Sequence, residues 1–166
     1  MIKLPKLLRI FAMIVLFPIS AEAKETYIPI LVPITGFLSL EGTAQRNGAI
    51  QALDEASSSL KIKYEVSDTS TSPEIAVTAL QRALSRGKPM AIAAPIFGTQ
   101  MLAMLPIAKR AGVPLITVSG TAKLTELDNP FIFRFFPGDA VVKVAHARYV
   151  TEVLRAKRPA LLYQTT

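Results

Sequence analysis

The sequence predicts an α/β fold built on a doubly wound parallel sheet. Three observations carry that prediction. Short, nearly all-apolar runs recur, as at residues 27–33 and 114–118, and suit strands buried on both faces. Stretches of helix length with apolar residues three and four apart stand between them. Small polar loops then follow the strands, which is the alternation of a sheet with right-handed crossovers.

Residues 27–33 form the predicted first strand, and Thr35-Gly36 breaks it. A loop through Ser39, Leu40, Glu41 and Gly42 leads to a helix over residues 43–57, whose Ala49, Ile50, Leu53 and Ala56 make one apolar stripe. Residues 61–67 alternate in part, so they read as an edge strand with one wet face. Ser72 and Pro73 then start a helix as capping hydroxyl and first helical residue. Ile75 occupies the position where a capping box would place glutamate or glutamine, so the cap lacks its reciprocal bond. Ile75, Ala76, Ala79, Leu80 and Ala83 are its predicted inner face, and Gly87 stops it.

The centre of the chain is residues 90–121: a strand at 90–94, a loop, an apolar helix at 101–111, a strand at 114–118, and the turn Ser119-Gly120-Thr121. Met101 and Met104 read as core filler. Loops at the carboxyl ends of neighbouring parallel strands meet over the sheet edge, where amides and hydroxyls bind ligands. Gly98, Thr99, Ser119, Gly120 and Thr121 are therefore expected to form a binding wall. Beyond it come a loop at 122–130, a strand at 131–135, a helix at 140–154 that Asp139 would cap, and a strand beginning at 160–163.

The first 23 residues are set apart by Lys3, Lys6 and Arg9, an apolar run over residues 10–19, and the small-residue site Ala21-Glu22-Ala23. That is a secretory signal pattern with cleavage after Ala23, and the apolar run is too short for a spanning helix, which needs about 20 residues. The leader holds three of 19 basic and one of 12 acidic residues, which leaves a net charge of +5 from Lys24 onward. The basic residues fall near element ends without interleaved aromatics, so a solvated surface is expected rather than a nucleic-acid site. The chain has no cysteine, hence neither a disulfide nor a lipidated N-terminal cysteine. A soluble exported protein without a membrane anchor is expected.

Catalytic signatures are missing. No G-x-G occurs among the eight glycines, and there is no nucleophile elbow. His146 is the single histidine, placed mid-helix as an ordinary surface or packing residue. The expectation is a protein that is not an enzyme and holds neither metal nor cofactor.

Several segments, in order, resemble the type I periplasmic solute-binding proteins of the branched-chain amino-acid group. They are residues 30–36 with Gly42 and residues 46–49; Asp68 with residues 72–77; Ala93-Ala94-Pro95; residues 106–116; residues 119–121 with Leu124-Thr125; and residues 131–134. Serine at position 72 and alanine at 94 depart from that pattern. The resemblance implies a two-lobed protein that closes on a small solute and passes it to an ABC-transporter permease. It implies that an amino-acid ligand is held by the loops after the third and fourth strands, which match Gly98 and Thr99, then Ser119 and Thr121. Glu41 matches a cleft-lining aromatic position and argues against an apolar ligand side chain. Glycine at 98 replaces a serine, leaving the backbone amide. The implied layout is a leader at 1–23, a first lobe at 24–136, and a hinge with the beginning of a second lobe at 137–166, where the chain stops early. A periplasmic sensor or regulatory interaction domain on the same fold is the competing reading.

Overall fold

The computed structural model describes residues 25–162, so the leader lies outside the described residues. Seven strands are all paired in parallel. β1 (Thr26–Tyr27) pairs with β3 (Ile62–Lys63) as a two-stranded extension. The main sheet has the order β4-β2-β5-β6-β7, formed by β4 (Val66–Asp68), β2 (Ile30–Val32), β5 (Ile92–Ala93), β6 (Leu115–Thr117) and β7 (Ile132–Arg134). The chain steps from β2 to β4 through α1 (Ser39–Ala56), then back past β2 to β5 through α2 (Pro73–Arg86). α3 (Gly98–Ala111) carries it to β6, and the short α4 (Lys123–Glu126) precedes β7. The strand order reverses between β2 and β5, so the carboxyl ends of these strands diverge there and open a crevice. The doubly wound parallel α/β fold is as the sequence predicts.

Side-chain alternation explains the layers. Leu31, Ile92, Ala94 and Leu115 point to one face and join Ala76, Ala79 and Leu80 of α2 and Met101, Met104, Leu105 and Ala108 of α3 in a single core. Both methionines are fully buried. α3 ends where Gly112 turns left-handed at φ 63°, with Gly112 N–H donating to Lys109 O and Val113 N–H to Ala108 O. Those two bonds make a Schellman cap, whose hydrophobic contact is supplied by buried Val113. The opposite face is thinner: α1 buries only Gly42, and Ile116 and Phe133 remain 40% and 47% exposed.

Several expectations are corrected. Pro29 splits the first predicted strand into β1 and β2, and residues 61–67 likewise give β3 and β4, with β4 on the sheet edge as expected. α1 begins at Ser39, because Ser39 N–H reaches Gly36 O and Gly42 N–H reaches Leu38 O; Glu41 is thus in the first helical turn rather than in a loop. The stripe of Ala49, Ile50, Leu53 and Ala56 is only half-buried. Ile75 faces solvent, since it lies in the first turn of α2 away from the sheet, whereas the other four predicted residues are buried. Ser72 caps α2 by accepting from Ile75 N–H at 3.3 Å and its hydroxyl donates to Glu74 at 2.6 Å, while Ser72 N–H bonds Thr69 O, so the reciprocal capping-box bond is absent as expected. Residues 122–130 hold α4, seated by buried Leu124.

α5 (Asp139–Arg148) is followed by a π-helical turn, Tyr149–Val153, and none of its residues is buried. Asp139 is its first residue and forms no side-chain cap. Residues 160–162 are exposed and form no strand; Tyr163 lies outside the described residues. His146 is exposed on α5, and among the described residues no cluster of His, Cys, Asp or Glu could hold a metal ion. No described helix is long and apolar enough to cross a membrane.

Candidate functional site

Three loops converge on the carboxyl edge of the sheet, and each is fixed by a polar side chain: half-buried Asp68, or buried Gln100 and Thr117. The loop after β2 rests on Asp68 at the end of β4. Asp68 Oδ1 accepts from the amides of Ile34 (2.8 Å), Thr35 (3.1 Å) and Ser70 (2.8 Å). Its Oδ2 accepts from the hydroxyls of Thr35 (2.6 Å) and Ser70 (3.1 Å). Burial acts to raise the Asp68 pKa, but the Thr35 hydroxyl and the three amides outweigh it and hold the carboxyl at about 2. Asp68 is therefore ionised across the physiological range and works as a loop anchor.

The loop after β5 leads into α3. Gln100, fully buried in the first turns of α3, donates through Nε2 to Thr69 O at 2.9 Å and Ser72 O at 3.1 Å. This bolts α3 to the β4–α2 loop. The α3 N-cap is Phe97, which supplies no side-chain acceptor, so the opening amides of the helix are uncapped. Gly98 is packed directly on the third loop: a Cβ there would lie 1.9 Å from Thr121 Oγ1 and 2.8 Å from Thr121 Cβ. Glycine at this position permits the close approach of α3 to the loop after β6, and no side chain has room there.

The loop after β6 is set by Thr117, whose hydroxyl donates to Pro95 O at 2.7 Å and accepts from Ser119 N–H at 3.0 Å. Ser119 is fully buried and its hydroxyl lies 3.3 Å from that of Thr121. The predicted wall is thus one contiguous unit: Gly98 touches Thr121, Ser119 supports Thr121 from below, Gly120 links them, and Thr99 follows in the opening turn of α3. Thr99, Gly120 and Thr121 are the partly exposed members. Glu41 stands apart on α1. It is exposed and lines an open groove of about 530 Å³ with Gln45, Ile96, Thr117, Val118 and Phe135.

Sequence reading missed Ile96, Gln45 and the aromatic rim. Gln45 gives Nε2 to Ala94 O at 2.6 Å while its Oε1 has no partner. Phe37 packs edge to face on Phe97, with centroids 5.2 Å apart, yet is 67% exposed; Phe135 is 75% exposed. The signal available for the rim was phenylalanine in loop positions, where burial alone does not explain it. Chemically, an uncapped helix start beside threonine hydroxyls suits a carboxylate, through amide and hydroxyl donors and the helix dipole.

The family profile described as periplasmic binding protein matches residues 25–166. The chain belongs to the periplasmic binding protein family. Among solved structures it is similar to a leucine-binding protein from Thermotoga maritima, at 27% identity and a TM-score of 0.74, over 80% of this chain and 39% of that one. It is similar to a branched-chain amino acid transporter substrate-binding protein from Streptococcus pneumoniae, solved with isoleucine, at 25% identity and a TM-score of 0.71 over the same shares. A solute-binding protein of an ABC transporter from Rhodopseudomonas palustris, solved with 3,4-dihydroxybenzoic acid, aligns at 25% identity and a TM-score of 0.60 over 66% of this chain and 31% of that one. The chain thus spans about two fifths of the length of the first of these structures. No curated protein matches the chain by sequence.

Proposed function

We propose that this chain forms the first-lobe wall of a solute-binding cleft, in an exported protein that supplies an ABC-type importer with amino acids or related small polar solutes. The observation that carries the reading is the uncapped start of α3 packed against the Ser119–Thr121 loop, with two threonine hydroxyls at hand. Isoleucine and 3,4-dihydroxybenzoic acid, the ligands named for two similar proteins, share a carboxylate and little else. A carboxylate is the group this wall suits, with no buried cation required. On the same reading, residues 24–136 are the first lobe, 137–166 are hinge and the start of a second lobe, and residues 1–23 are a leader. A permease is the expected partner, and the periplasm the expected compartment.

One wall leaves a ligand wet on its other side, so binding by this chain alone is expected to be weak, in the millimolar range or about −4 kcal/mol. The test is an amide chemical-shift titration with isoleucine, 3,4-dihydroxybenzoate and isoleucinamide. The expected result is a saturable response at Gly98, Thr99 and Thr121 to the two carboxylates and none to the amide. Equal responses to isoleucine and isoleucinamide, or silence at those residues with every carboxylate, would sink the reading.

A further inference from the structure

We infer that Arg134 is a positioning residue for the Ser119–Thr121 loop, and that it ties this loop to the linker leaving β7. The inference rests on the solute-binding reading for its functional consequence, but its geometry stands alone. Arg134 closes β7, and its guanidinium spans two acceptors: Nη1 donates to Thr121 O at 3.1 Å and Nη2 to Thr125 Oγ1 at 2.5 Å. The planar fork holds both at once, on either side of the turn into α4. It also lies over Gly138, where a Cβ would meet Nη2 at 2.6 Å. A side chain at 138 would require the guanidinium to shift.

The linker adds a second tie. Asp139 N–H donates to Gly120 O at 2.6 Å, and the Asp139 carboxylate covers Gly120 so closely that a Cβ there would lie 2.7 Å from Oδ1. The Gly120 carbonyl is thus turned to the linker, while that of Thr121 accepts from Arg134 and from Leu124 N–H at 3.2 Å. That allocation fixes the backbone orientation of the loop and seats the Thr121 side chain against Gly98. Loop and linker therefore move as a pair: re-aiming residues 135–139 pulls on Gly120 and Thr121, and a ligand held at Thr121 biases the linker in return. A lysine at 134 would satisfy one acceptor, not both.

The experiment compares Arg134→Gln, Arg134→Lys and Thr125→Val with the parent chain by amide spectra, before and during an isoleucine titration. Arg134→Gln is expected to displace the resonances of Gly120 and Thr121, and those of Gly98 and Thr99 across the gap, while Val66–Asp68 stay in place. Arg134→Lys should give a smaller displacement, and Thr125→Val should reproduce part of it with the arginine intact. Affinity for isoleucine should fall about tenfold in Arg134→Gln. Changes confined to residues next to 134, or lysine and glutamine variants that behave alike, would overturn the inference. Should Arg134→Gln fail to fold, Thr125→Val decides: an undisturbed loop refutes the positioning role. A parent chain silent to isoleucine, with the loop displaced in the variants, would remove the solute reading and leave the positioning role standing.

Discussion

Gly98→Ala is a test in which the sign of the effect carries the answer. At an unconstrained position in a first helical turn, replacing glycine with alanine stabilises a protein by about 0.4–1 kcal/mol, mainly by restricting the unfolded chain. At Gly98 the new methyl would lie 1.9 Å from Thr121 Oγ1, 2.8 Å from Thr121 Cβ and 3.0 Å from Thr121 Cγ2. Rotating Thr121 about χ1 removes the first conflict, but not the second, because Cβ is fixed by the backbone. Either α3 or the loop after β6 must shift by roughly half an ångström or more, and overpacking of that kind costs about 1–3 kcal/mol. The shift would disturb the Ser119–Thr121 contact and the Arg134 bond to Thr121 O. A net loss of about 1–2 kcal/mol is expected in urea denaturation followed by circular dichroism. A cycle with Thr121→Gly, which removes the obstructing Cβ, should show a coupling above about 0.5 kcal/mol. Stabilisation by Gly98→Ala, or additivity in the cycle, would refute the claim that α3 and the loop are in contact here.

Asp68→Asn should lower stability at neutral pH and flatten its acid dependence. The folded-state pKa of Asp68 is depressed from 3.8 to about 2, so its contribution is fully present above about 3.8 and is lost as pH falls through 2. Discounted for its partial exposure, the effect should be about 1 kcal/mol in urea midpoints measured between neutral pH and pH 2, and an unchanged acid limb would count against the anchor role. Gln100→Leu removes the acceptor of the buried Thr69 hydroxyl and one of the two donors to each of Thr69 O and Ser72 O, which keep the amides of Ser72 and Ala76. It should cost about 1–2 kcal/mol in thermal or urea unfolding, and a neutral result would show that the clamp is dispensable.

Much of the fold was legible because the signals were local. Ile30–Val32 is buried at every residue, so its apolar run needed no alternation to be read as a strand. In α2 the spacing of Ala76, Ala79, Leu80 and Ala83 matches the helical period, and Ser72-Pro73 marks its start. α1 misled because its N-cap is Leu38, which carries no capping signal. The site was legible only as a place: strand ends with small polar loops gave Gly98, Thr99 and residues 119–121. What each residue does there depends on tertiary contacts. Gly98 read as a missing hydroxyl, whereas the structure makes it the point where two loops touch. The roles of Asp68, which entered only through the resemblance, and of Gln100 were not legible, because their partners lie some 30 positions away in the chain.

The uneven burial of the sheet bears on how the proposed cleft would work. The core cluster unites α2, α3 and one sheet face, and both Gly98 and Thr99 open the helix that contributes four of its residues. Thr121 is tied to the same half through Gly98, and its loop is seated by buried Thr117 and Leu124. The wall carrying amides and hydroxyls is therefore built on the well-packed side, where its donors are held in place before any ligand arrives. Glu41 belongs to α1, whose stripe is half-buried beside the open groove at Ile116 and Phe135. Fewer packed contacts mean lower local stability there. On the proposed solute-binding reading, fixed donors with a looser flank beside them would divide the labour: the rigid half would meet the carboxylate that ligands share, and the flank with Glu41 the part in which they differ.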